Sequence, residues 1–250
     1  MKLAELTGWL DGFLKVAAIG DDALALNGLQ VENAGSVTSV AVAVDACAAV
    51  FREAAARKAD FLLVHHGLFW GGLEPLTGRY FARVRQLLDG GVALYGAHIP
   101  LDVHPEVGNN ALLAGLLGVP VEGRWGEYKG GQVAVHGHAA MSRDELLRRI
   151  DAALGGSARL LPCGPAEVKR IGIVTGSGGS MIAEAAAAGL DTLVTGEGKH
   201  HSYFDAEELG VNVVYAGHYA TETLGVRALG ERLHREFGLP WQFIDHPTGL

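Results

Sequence analysis

Cysteine is scarce: the 250 residues hold only Cys47 and Cys163. Two thiols cannot build a disulfide framework, and their spacing is not that of a zinc knuckle. They read as buried free thiols in a reducing compartment. Basic charge is short as well. Twenty Lys and Arg face 28 Asp and Glu, a net charge of −8. A protein that grips nucleic acid over a broad surface would carry the opposite excess, so that class is disfavoured, although a local basic cleft stays open. No run of about 18 apolar residues occurs, so no helix is expected to span a membrane. The opening stretch, MKLAELTGWLDGFLKVAAIGDDA, lacks the apolar core and small-residue cleavage site of a signal peptide. A cytoplasmic location is expected. Also missing are GxGxxG, a Walker motif, GxSxG and a convincing Cys/His nucleophile pair.

Histidine and glycine are plentiful, with 11 and 36 copies. The glycines suit a fold rich in strand-to-helix turns, and their placement supports one. Residues 1–15 read as an amphipathic helix with Leu3, Leu6, Leu10 and Leu14 on one face. The apolar run 37–44 reads as a buried strand, CAAVFREAAARKA as a helix, and DFLLVHHG as a second strand. YFARVRQLLDGG is helical, VALYGAHIPLD is a strand and its loop, and NNALLAGLLG is helical. This β-α-β-α-β-α order predicts a mainly parallel sheet flanked by helices, an α/β fold.

The second half repeats the plan with RIGIVTGSG, SMIAEAAAAG, DTLVTGEGKHH, HSYFDAEELG, VNVVYAGHYATE and a closing helix TLGVRALGERLHREFG. A shift of 131 lays Val40–Val44 on Ile171–Thr175 and Asp60 on Asp191. A shift of 120 lays His98 on His218 and Asp102 on Glu222. Two related α/β halves are therefore expected, an internal duplication spanning residues 1–125 and 126–250. The second would include an extra β-α-β segment at about 126–170, where Ser142 and Glu145 form a capping box.

Ligand sites of open parallel sheets form at the carboxyl ends of the strands. The unusual polar residues all fall there: His65 and His66 after FLLV, His98 and Asp102 after VALYGA, Glu197, His200 and His201 after TLV, and His218 and Glu222 after VVYAG. Imidazole and carboxylate together suit divalent Zn, Fe, Mn, Co or Ni. Adjacent histidines at a strand end project apart and can serve different ions, and a carboxylate such as Asp102 or Glu222 can bridge a pair. Solitary histidines carry less: His104, His136, His138, His234 and His246 read as structural. His200 and His201 can line a pocket, meet a phosphate or cap a helix. Lys199 would suit an anion but reads equally as a solvated charge. GSGGS at 176–180 could cradle a phosphate, yet a tight strand-to-helix turn explains it better.

NGLQVE (27–32), DFLLVHHGLFW (60–70), YGAHIPLD (95–102), NNALL (109–113), TGEGKHH (195–201) and GHYATE (217–222) together resemble the Nif-three-like family, also labelled GTP cyclohydrolase type 2 homologues or dinuclear-metal-centre proteins. The likeness covers nearly the whole chain. It implies a duplicated α/β fold with two divalent metal ions in a cleft between the halves, held by His65, His66, Asp102, His218 and Glu222, with His98 close by. It also implies a ring-shaped homohexamer. The function expected is a metal-dependent hydrolase acting on a nucleotide such as GTP or another small anion, with Glu197, His98 or His201 as general acid or base. The alternative is a metal-binding ring scaffold, carrier or regulatory partner-binding protein without catalysis.

Overall fold

A computed structural model describes residues 1–70, 72–156 and 158–249. In chain order the elements are α1 (Leu3–Leu14), β1 (Gly28–Val31), β2 (Val40–Asp45), α2 (Ala48–Ala56), β3 (Phe61–His66), α3 (Gly78–Gly90), β4 (Ala93–Gly96), α4 (Ile99–Asp102) and α5 (Asn109–Leu117). There follow β5 (Gly123–Tyr128), β6 (Gly131–Ser142), α6 (Arg143–Leu154), β7 (Arg159–Leu161), β8 (Glu167–Val174) and, after a 3₁₀ turn at Gly178–Ser180, α7 (Ile182–Ala187). The chain closes with β9 (Thr192–Thr195), α8 (Ser202–Leu209), β10 (Asn212–Tyr215), α9 (His218–Phe237) and β11 (Trp241–Phe243). No described helix is long and apolar enough to cross a membrane.

The chain forms two compact units. Unit 1 comprises Met1–Leu101 and Gly225–His246, and unit 2 comprises Asp102–Leu224 and Pro247–Leu250. The division expected at 125/126 falls inside β5, within unit 2.

Unit 1 has a five-stranded sheet in the order β1-β4-β3-β2-β11. β4, β3, β2 and β11 run parallel, and β1 pairs antiparallel with β4. Side chains alternate across the sheet. Ala41, Ala43, Leu62, Val64 and Leu94 join Val50, Phe51, Ala54 and Leu87 of α2 and α3 in one buried cluster. On the other face Tyr95 reaches α1, donating a 2.7 Å hydrogen bond to Asp11. Residues Phe61–Val64 are fully buried, each large side chain contributing about 1.5–3 kcal/mol, so the strand that carries the paired histidines is rigid.

Unit 2 has a six-stranded sheet in the order β5-β6-β8-β9-β10-β7. Its parallel core, β8-β9-β10, is flanked by antiparallel pairings of β6 with β8, β5 with β6, and β7 with β10. Val135, Ile171, Ile173, Val194 and Val214 pack on α5 and α6. Trp125, Leu193 and Val213 pack with Ile182, Ala185 and Ala206 of α7 and α8. The segment at 126–170 thus belongs to this sheet, and Ser142 does cap α6, accepting from Glu145 N at 3.2 Å. Cys47 and Cys163 are free but only half-buried.

The two sheets share a plan that sequence patterning only sketches. Each has three consecutive parallel strands, with an antiparallel strand beside the third that precedes the first in the chain: β1 in unit 1 and β7 in unit 2. The same bracket closes both. Asp60 accepts from the backbone N–H groups of Thr38 (2.9 Å) and Ser39 (3.1 Å). Asp191 accepts from those of Lys169 (3.0 Å) and Arg170 (2.9 Å), each 131 positions on. This shared plan supports the reading of a duplicated unit.

Candidate metal centre

Parallel strands end together, so the residues that follow them gather on one edge. In unit 1, β3 ends in His65 and His66, and β4 is followed by His98. The three rings meet there: centroids lie 4.7 Å apart for His65 and His66, 5.1 Å for His65 and His98, and 5.7 Å for His66 and His98. One donor nitrogen from each lies within 4.8 Å of the others.

The orientation of each ring is set by an acceptor at Nδ1. His65, fully buried, donates from Nδ1 to the carbonyl of Ala97 at 2.9 Å. His66 Nδ1 meets Asp45 Oδ1 at 2.8 Å, and His98 Nδ1 meets Asp21 Oδ1 at 2.8 Å. An imidazole that donates through Nδ1 is held in the tautomer whose lone pair sits on Nε2, which is how metal-ligating histidines are prepared. Three imidazoles so arranged fit a borderline divalent cation.

A further layer holds these acceptors. Asp21 Oδ2 accepts from Asn27 Nδ2 (2.8 Å) and Ile99 N (3.1 Å), and Asn27 Oδ1 accepts from His98 N (2.7 Å). Burial works to raise the Asp21 pKa, but the hydrogen bond and charge of His98, with Asn27, outweigh it and hold the carboxyl low. Gln30 secures the other loop: its Oε1 accepts from Leu68 N at 2.8 Å and its Nε2 donates to Leu26 O. A Cβ at Gly67 would lie 2.1 Å from Gln30 Nε2, so a larger residue there would displace the Gln30 side chain. Asn27 and Gln30 both come from the NGLQVE stretch.

In unit 2 the candidate donors are Asp102, His218 and Glu222. The stretch around His218 was expected to be a loop after the strand. It is instead the first turn of α9, where the spacing of four puts His218 and Glu222 on one helix face. His218 Nε2 lies 3.1 Å from Glu222 Oε2, and its Nδ1 lies 3.0 Å from Glu197 Oε1. The bond to Glu222 is the larger cause raising the His218 pKa to about 9, against burial, which lowers it; Glu197 adds to the rise. Asp102 and Glu222 are both buried. Asp102 Oδ1 accepts from Asn109 Nδ2 (2.8 Å) and Thr175 Oγ1 (3.3 Å). The next residue, Gly176, sits at φ +68°, and a Cβ there would lie 2.3 Å from Glu222 Oε1. His218 and Glu222 pair an imidazole with a carboxylate, a harder combination than the three imidazoles of unit 1 and still within the range of the same metals.

The GSGGS loop is not built as a phosphate cradle. Its three glycine amides already have protein acceptors: Gly176 N donates to Thr221 Oγ1, Gly178 N to Thr195 Oγ1 and Gly179 N to Glu197 O. His201 and Lys199 are exposed and, with Glu197, line a cavity of about 470 Å³. His200 stands edge-on to Phe204, 6.0 Å between centroids. Among the histidines read as structural, His138 meets Glu122 at 2.6 Å and His234 donates to Leu239 O at 3.0 Å.

Sequence reasoning passed over Asp21, Asp45 and Thr175. Asp45 had a signal: it ends β2, at the same strand edge where the histidines were sought. Asp21 had none, because it lies in an irregular stretch.

The family model Duf34/NIF3 (NGG1p interacting factor 3) matches residues 1–248. A Deinococcus radiodurans protein named GTP cyclohydrolase 1 type 2 homolog is 44% identical over 248 residues, covering 98% of this chain and 94% of its own. A Halobacterium salinarum protein of the same name is 45% identical, with both chains fully covered. The crystal structure of TTHA1606 from Thermus thermophilus superposes with a TM-score of 0.91 at 41% identity, again with both chains fully covered.

Proposed function

Because this chain belongs to the Duf34/NIF3 family, we propose that it is a metal-dependent hydrolase that binds two divalent ions and acts on a nucleotide or another small anionic substrate. The observation that carries the reading is the set of three converging imidazoles, each with Nδ1 committed to an acceptor. Metal-ligating histidines almost always donate their other ring N–H in this way, and here three such rings converge. In this proposal His65 and His66, joined by His98, hold the ions together with Asp102, His218 and Glu222. The names borne by the relatives support a nucleotide substrate.

Divalent ions in such a site polarise an electrophilic carbon or phosphorus and make water acidic enough to react at neutral pH. The chain's own residues then have distinct tasks. Asp45, Asp21 and the Ala97 carbonyl orient His66, His98 and His65. Glu197 orients His218 through Nδ1. Glu197 and His201 share one cavity and exchange the proton that hydrolysis moves. A ring-shaped homohexamer is part of the same proposal, and light scattering of the purified protein measures it.

Elemental analysis of protein purified without added metal, paired with assays for phosphate and formate release from GTP, tests the reading. Two ions per chain, with both metal and turnover lost in His66→Ala and Glu222→Gln, is the expected result. Fully loaded protein that hydrolyses no nucleotide or phosphoester defeats the hydrolase and leaves a metal carrier or scaffold. Protein that takes up no divalent ion defeats the whole proposal.

A further inference from the structure

Beside the histidine cluster, at the same strand edge of unit 1, lies a cavity of about 500 Å³ whose lining includes Trp70, Glu74, Thr77, Arg79, Tyr80 and Arg83. Its lining comes from the loop after β3 and from the start of α3, and three features of its wall are unusual.

Trp70 is the first. A large aromatic normally goes to the core, yet this indole is 42% exposed. It stands at right angles to two candidate metal donors, with centroids 4.7 Å from His98 and 6.1 Å from His66. Its backbone is pinned by a bridge to Ala25, so the position is held rather than incidental.

The second is charge at the wrong end of a helix. The N-terminus of α3 carries a partial positive charge and favours acidic neighbours, but its first turn has no acid and bears Arg79 instead. The N-cap Thr77 makes no side-chain capping bond. The third is Arg83, one turn further on. Its Nη2 donates to the carbonyl of Ala46, while its Nε is buried without a hydrogen-bond partner among the described residues. Burial and the charge of Arg79 both lower its pKa, so the guanidinium sits where positive charge is under-compensated. Glu74 offsets one of the two arginines and leaves an excess of one positive charge in the wall.

We propose that this cavity is the substrate-recognition subsite and that it takes an organic phosphate carrying a flat unsaturated ring. The phosphate is held by Arg79 and Arg83 at the start of α3, and the ring lies against Trp70, next to His66 and His98. The assignment rests on the proposed metal-dependent reaction for its purpose but not for its chemistry. A guanidinium pair at a helix N-terminus binds phosphate whether or not a reaction follows. An indole accepts a heterocycle by stacking without regard to its hydrogen-bonding pattern.

The test uses the full chain loaded with metal and three probes: inorganic phosphate, guanosine and GMP, titrated by calorimetry and by tryptophan fluorescence. GMP is expected to bind more tightly than either fragment and to quench the indole emission. Arg79→Gln, an exposed change that leaves the core untouched, should weaken GMP and phosphate by about ten-fold while sparing guanosine. Trp70→Leu should weaken GMP and guanosine, spare phosphate and remove the quenching. Both variants should keep wild-type metal content. If both bind GMP as the wild type does, or if the wild type binds none at millimolar concentration, the subsite is refuted. If GMP binds as described but the loaded protein turns over no substrate, the subsite stands and the hydrolase reading fails.

Discussion

Asp45 and His66 are register partners on the neighbouring parallel strands β2 and β3, and their side chains meet at 2.8 Å between Oδ1 and Nδ1. The backbone ladder itself therefore sets the imidazole's orientation, because the two residues are brought level by strand pairing and not by a loop.

That pairing makes Asp45→Asn a sensitive probe. An amide can still occupy the space but is a weaker acceptor for the imidazole N–H. Metal affinity should fall by about 10–100-fold, the usual cost of losing a partner behind a ligand, with little change in thermal stability of the metal-free protein. Competition titration against a chromogenic chelator measures the first, and a melting curve the second. Unchanged affinity would remove Asp45 from the site.

Gly176→Ala should act on both fold and site. A methyl at φ +68° costs about 1–3 kcal/mol in strain, and this one would lie 2.3 Å from Glu222 Oε1. Denaturant unfolding should show that loss together with reduced metal content. Gly156, whose Cβ would meet nothing within 4 Å despite φ +111°, should lose stability on the same substitution without losing metal.

Gln30→Ala removes the acceptor for Leu68 N and the brace between the His-His-Gly loop and Leu26. About 1–3 kcal/mol should be lost for the stranded amide. Hydrogen exchange should accelerate at Leu68 and Phe69 before it does in β3. Uniform acceleration across unit 1 would show that Gln30 serves the fold at large.

Metal removal should destabilise the protein by mass action. At free ion concentrations near a hundred times the dissociation constant, bound metal adds roughly 2.7 kcal/mol. Dialysis against chelator should lower the melting temperature, and readdition should restore it. His65→Ala should melt with no response to metal at the same concentrations.

The candidate donors were easier to read in the sequence than the residues that support them. His65 and His66 end β3, His98 follows β4, and His218 and Glu222 open the helix after β10, and hydrophobic strands are easy to read from Val, Leu and Ile runs. Asp21 and Asn27 could not be found this way, because they come from an irregular stretch and reach His98 across more than 70 positions. The parallel cores of both sheets were legible for the same reason as the strand ends. The strands β1, β5 and β11 were not, since short edge or half-exposed strands lack a continuous apolar run. The start of α9 was misread because GHYATE has neither a capping residue nor an apolar stripe, and its first turn is fixed by Thr221 and Gly176 instead. The repeat was visible as a 131-residue shift, but the paired brackets of Asp60 and Asp191 give it a physical content that similarity of strands could not.

The three imidazoles do not lean on equal supports. His66 and His98 are backed by carboxylates, His65 by a neutral carbonyl. A ring backed by negative charge is the more basic donor and holds a cation harder. If the proposed ions bind here, the one that depends on His65 should be the first surrendered to a competing chelator, with off-loading in steps instead of all at once.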